Sequence, residues 1–128
     1  MIFPEGGNFT ERRRTAAIAR LRGRGLEAMA RRSEAMRNVL PPRPGGVAAA
    51  LAAAPAADVV WVAHAGLDHL FTLADVWRAL PLDGVVRMRW WRVPHHEVPQ
   101  GLDAQIDWLY RWWEQIDDWV DRTRVHGQ

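Results

Sequence analysis

The first ten residues, MIFPEGGNFT, put a carboxylate, two glycines and a side-chain amide in a row: Glu5, Gly6, Gly7 and Asn8. Arg12, Arg13 and Arg14 follow closely. Glycines adopt backbone angles closed to other residues and let a ligand approach the main chain. A helix start beyond them offers unpaired amides and the positive end of the helix dipole. That combination is chemistry for an anion. A second candidate is Arg43 in VLPPRPGG, either a contact to a ligand phosphate or, more plainly, a loop arginine satisfied by carbonyls.

Two other constellations invite a chemical reading. His64, Asp68 and His69 form HAGLDH, but Gly66 argues against a helix that would align His64 with Asp68, and no third ligand is evident, so a strand-end histidine is the plainer reading. Trp90, Trp91 and Arg92 suggest cation and aromatic contacts, including base stacking on a nucleic acid; the alternative is an arginine lying over a core-edge tryptophan. The chain has no cysteine, which excludes disulfides, zinc thiolate sites and cysteine nucleophiles.

The elements that must position these groups follow from pattern. Met1-Ile2-Phe3, stopped by Pro4, reads as a strand entering a turn, and Asn8 with Glu11 as a capping pair opening a first helix toward Arg22. Gly23-Arg24-Gly25 breaks it before a second helix from Leu26 to about Asn38, with Met29, Ser33, Met36 and Leu40 inward. The proline segment then ends in Gly45-Gly46, opening a helix from Val47 to Ala54. Asp58 to Ala63, DVVWVA, fits a buried strand in a parallel or mixed sheet. Thr72 to Leu80 reads as a short helix. Val85 to Val93 alternates Val86, Met88 and Trp90 against Arg87 and Arg89, predicting a strand with the first set buried. Leu102, Ile106, Leu109, Trp113, Ile116 and Val120 form the apolar stripe of a long C-terminal helix, 102–122. The order is α/β, with too few strands for a comfortable independent sheet.

At 128 residues the chain has the length of one domain. All seventeen basic residues are arginine, and they are unevenly placed. Residues 1–43 hold ten arginines against four acids, whereas residues 58–128 hold seven against eleven. A basic lobe suits a phosphate-bearing small molecule, an anionic membrane surface or a nucleic acid. The longest candidate span, Gly45 to Ala57, is too short and too broken by Pro55 to cross a membrane, and the start lacks the pattern of a signal peptide.

FPEGGNFTERRR, VLPPRPGG and RVPHHEVP, followed by a tryptophan-rich helix, resemble in that order the later part of the glycerophospholipid acyltransferases, the lysophosphatidic acid acyltransferase and lysocardiolipin-type branch. The resemblance implies the C-terminal portion of the glycerol-phosphate acyltransferase-like fold: a single partial domain, 1–128, with an acceptor-binding block at 3–14, a proline loop at 40–46 and the helix at 102–122. It implies acyl transfer from acyl-CoA or an acyl carrier protein, as substrate rather than bound cofactor, to a lysophospholipid at the cytoplasmic membrane face. Glu5 and Gly6 match the acceptor block; Gly7 and Asn8 stand where that family has threonine and arginine, which leaves Arg12, Arg13, Arg14 or Arg43 to meet the phosphate. The family's catalytic HxxxxD block has no counterpart, since His64 and Asp68 have the wrong spacing and follow the FPEG block. The expectation is therefore a peripheral membrane chain without a metal or nucleic-acid partner, inactive alone and lacking an N-terminal half. The rival reading is a small basic, tryptophan-rich, non-enzymatic protein that binds nucleic acid or anionic lipid through its arginines.

Overall fold

The computed structural model describes residues 1–5, 9–65 and 86–126. They form α1 (Glu11–Gly23), α2 (Glu27–Ala35), α3 (Pro44–Ala53), β1 (Val59–Ala65), β2 (Arg87–Val93), a short 3-10 turn (His95–Glu97) and α4 (Leu102–His126). The helix expected at Thr72 to Leu80 lies outside the described residues, as do Asp68 and His69.

α1 begins at Thr10, whose Oγ1 accepts the amide of Arg13 at 3.1 Å, so the cap is Thr10 and not Asn8. Gly25, at a positive φ of 76°, turns the chain between α1 and α2 as expected of glycine there. α2 stops at Ala35, earlier than the pattern suggested, because Met36 turns to extended backbone and leads into the loop of residues 36–43. In α3 the helix starts at Pro44 itself, a first-turn proline with its missing N–H in the position that needs no partner, so Gly45 and Gly46 lie inside the helix.

The expected acyltransferase-like fold is not what these residues build. Among the described residues the domain is a small α/β unit of four helices and one open sheet of two strands, β1 and β2, paired antiparallel rather than as part of a parallel sheet. Met1 to Phe3 form no strand. The register sets Val59 opposite Val93, Trp61 opposite Trp91 and Val62 opposite Trp90.

One face of the sheet packs on α4. Trp61 sits with its ring centroid 5.4 Å from Trp108 and 5.5 Å from Trp113, and Trp91 lies 6.1 Å from Trp112 and 6.2 Å from Trp119. Aromatic pairs at tilted or edge-on angles add to what area burial alone supplies. The same core takes Met36, Val39, Val47, Ala63, Val93, Leu109, Tyr110, Ile116 and Val120. The α4 stripe therefore runs from Ile106 to Val120; Leu102, expected to begin it, is exposed.

β2 faces opposite to its expected sense. Met88 and Trp90 are 68% and 67% exposed, while Trp91 and Val93 turn inward. Side chains alternate along a strand, so choosing the wrong parity inverts every residue at once. Both parities of RMRWWRV carry a tryptophan, and the pairing of Trp61 with Trp91 against α4 decides between them.

α2 and the loop after it are tied to α4 by polar contacts. Arg32 reaches Glu114 and Asp107 at 2.8 and 2.9 Å. Ser33, fully buried, donates to the carbonyl of Met29 at 2.8 Å beside the phenol of Tyr110. The buried carboxylate of Asp117 accepts the amide of Asn38 at 2.7 Å, and the Asn38 side chain bridges Asp121 and Arg124. Burial raises the pKa of Asp117, with the Asn38 hydrogen bonds opposing it.

Candidate functional site

The structure brings together two of the segments picked out in sequence. The carbonyl of Pro4 accepts the amide of Arg43 at 2.7 Å, and a carboxyl oxygen of Glu5 accepts the amide of Leu40 at 3.3 Å. Beneath them the Trp113 indole donates to the carbonyl of Leu40 at 3.1 Å and lies within hydrogen-bonding reach of Glu5. Pro41 and Pro42 are buried alongside. Burial pushes the Glu5 carboxyl up to about 7, against the lowering effect of the Leu40 amide and the Trp113 indole.

This arrangement suits holding two loops together better than holding a phosphate. The carboxyl is buried and its partners are the protein's own amide and indole. The arginines do not converge either. Arg14 turns its guanidinium onto the end of α2, Nε donating to the carbonyl of Met36 and Nη2 to that of Glu34, both at 2.8 Å, with Nη1 on Glu11 at 3.0 Å. Arg12 and Arg13 stand exposed on the first turn of α1, and the Arg43 side chain is exposed beside the proline loop. Gly6, Gly7 and Asn8 lie outside the described residues. Among the described residues no group of three or more histidine or acidic side chains is placed to hold a metal ion.

A different surface emerges on the outer face of the sheet. Val60, Val62 and His64 of β1 lie opposite Arg92, Trp90 and Met88 of β2, and all six are exposed. Trp90 stands at the centre of this face. Arg92 follows two residues along the same side, its Nε on Asp58 at 2.9 Å, while on the opposite face the guanidinium of Arg89 stacks 5.0 Å from the Trp91 ring centroid. Arg87 and Arg89, which alternate with Trp90 and so belong to the other side of the strand, are exposed and form no ion pair among the described residues. The sequence contained the signal for these residues in the alternation of residues 85–93, but not which half of the alternation faces out.

No protein-family model, no curated protein and no solved structure matches this chain. With the two-stranded antiparallel sheet, this overturns the description of the chain as a truncated, membrane-associated acyltransferase domain of phospholipid biosynthesis and lipid metabolism: neither a family model nor a curated transferase supports it. Among the described residues no helix is long and apolar enough to cross a membrane.

Proposed function

We propose that this protein is a non-enzymatic binding module for single-stranded nucleic acid, with the outer face of β1 and β2 as its platform. The observation that carries the reading is Trp90, two-thirds exposed in the middle of a strand whose other members include Arg87, Arg89 and Arg92. An exposed indole on a sheet offers a flat surface for a base; Arg92 on the same face, with Arg87 and Arg89 exposed on the other side of the strand, supplies charge for a phosphate backbone. Residues two apart on one face of a strand are about 6.6 Å apart, which sets Arg92 within reach of the phosphate of a base stacked on Trp90.

The acidic balance of residues 58–128 does not oppose this. Much of it lies on α4 and is compensated internally: Asp107 and Glu114 hold Arg32, Asp107 also holds Arg111, and Asp121 holds Arg37 and Asn38. The exposed arginines of α1 and α2 add a positive field that speeds encounter with a polyanion.

Fluorescence anisotropy of a labelled oligodeoxythymidine tests the proposal. Expected are saturable binding at low salt, an affinity that falls steeply with added salt, and a loss of about fivefold or more in Trp90→Ala, in line with the worth of one stacked base. Absence of binding at low salt, or a W90A affinity equal to that of the wild type, rules the reading out. Retention on anionic vesicles without oligonucleotide binding gives the surface to lipid instead.

A further inference from the structure

Asp58, just before β1, is the hub of a contact that joins Arg92 of the outer face to His95 beyond the strand. Its Oδ1 accepts the backbone amide of His95 at 2.8 Å and lies 3.2 Å from Nδ1 of the same residue's ring, while Oδ2 is held by the Arg92 guanidinium. The ring of His96 packs edge-on against that of His95 at 5.7 Å. Arg92 first, and then His95, hold the Asp58 carboxyl down to about 2. An ionised carboxylate only accepts, so the proton of a neutral His95 ring sits on Nδ1, and Nε2 keeps its lone pair. That nitrogen has no protein partner among the described residues.

His95 also lines a pocket of about 210 Å³ between the end of α3 and the segment leading into α4. Ala48, Leu51, Ala54 and Pro55 form its apolar wall, and Gln105 lies on the polar side with its amide nitrogen committed to the carbonyl of Pro99 at 3.1 Å. His95, Gln100 and Gln105 are the polar residues of the lining, and among them His95 carries a ring whose tautomer Asp58 fixes.

We propose that this pocket binds a small neutral hydroxyl compound of about the size of a phenol, its apolar body on the α3 wall and its O–H donated to Nε2 of His95. The carboxylate of Asp58 acts at one remove: it selects the tautomer that leaves Nε2 able to accept. A ligand of this chemistry without the hydroxyl loses that contact and leaves the imidazole unsatisfied.

NMR of the full chain with labelled histidine and alanine, titrated with phenol and with anisole, tests the site. Expected are a His95 ring protonated on Nδ1, saturable phenol shifts at His95 and Ala48, and anisole binding at least about fivefold weaker. Asp58→Asn, whose amide can donate to Nδ1, moves the ring proton to Nε2 and weakens phenol by about fivefold or more. Should D58N fail to fold, Ala48→Leu decides, because it fills the pocket away from the Asp58 contacts: it abolishes phenol binding and leaves the His95 tautomer unchanged. Phenol shifts that do not saturate, equal affinity for anisole, or full phenol binding in A48L each overturn the proposal.

Discussion

The carbonyl oxygen of Pro4 accepts the backbone amide of Arg43 at 2.7 Å, joining the chain's first residues to the start of α3 across almost forty positions of sequence. Beside it Glu5 lies over Leu40, and Trp113 of α4 closes the contact from below. Three separate segments thus meet around one carboxyl group.

That carboxyl makes stability depend on pH in a stated direction. Glu5 ionises at about 7 in the folded chain against an ordinary value of 4.5, so the folded state binds the proton more tightly. The stability it contributes is full below about 4.5 and is lost as pH rises through about 7. Urea titrations at pH 5 and pH 8 should show the wild type weaker at the higher pH by about 1–3 kcal/mol from this group. Glu5→Gln keeps an acceptor for the Leu40 amide without the charge; its profile should be flatter and its stability at pH 8 higher. Matching profiles for the two proteins would contradict the assignment.

Arg14 should behave as a staple between helices. Its side chain satisfies two carbonyls at the end of α2, which are otherwise left without partners. Arg14→Ala is expected to lower stability by about 1–3 kcal/mol, whereas Arg12→Ala, exposed on the same turn, should stay within about 0.5 kcal/mol. Chemical denaturation of the pair separates a structural arginine from a solvated one.

Asn38 and Asp117 provide a third test. Asn38→Ala removes the side-chain links to Asp121 and Arg124 but keeps the backbone amide that serves the buried Asp117 carboxylate. A loss of about 1 kcal/mol is expected. Asp117→Ala takes away the acceptor for that amide altogether, leaves a void and should cost about 2–3 kcal/mol. Hydrogen exchange at the Asn38 amide should accelerate in D117A and change far less in N38A.

The two faces of the sheet should respond oppositely to the same truncation. Trp61→Ala empties the centre of the aromatic cluster on α4 and is expected to cost about 3–5 kcal/mol. Trp90→Ala, on the outer face, should leave thermal stability nearly unchanged, within about 0.5 kcal/mol. A large loss in W90A would place that ring in the core and return β2 to the parity its sequence suggested.

Legibility from sequence followed the length of the pattern. The apolar positions of α4 recur over several turns, so a helix there follows from spacing alone, and its inner positions from Ile106 to Val120 are read correctly. β2 offers only seven residues with a tryptophan on each side, too short and too symmetric to orient itself. The arginine run of α1 looked like one unit, yet Arg14 is distinguished from Arg12 only by where α2 ends. Tyr110, among the most buried side chains, carried no signal of its own, because its phenol enters the core only where Ser33, 77 residues away, stands beside it; Ser33 itself was legible from the inner face of α2.

What the sequence determined by itself is local: helices where periodic apolar positions run between glycine and proline stops, strands where valine and tryptophan crowd together, and a basic front half. Only the tertiary structure decided that β1 and β2 pair antiparallel, that Trp91 goes in and Trp90 out, and that Glu5, Leu40 and Trp113 share one contact. The reason is one of range. Backbone preference and side-chain period act over a few residues, whereas face choice and burial of polar groups depend on which distant surface arrives to cover them.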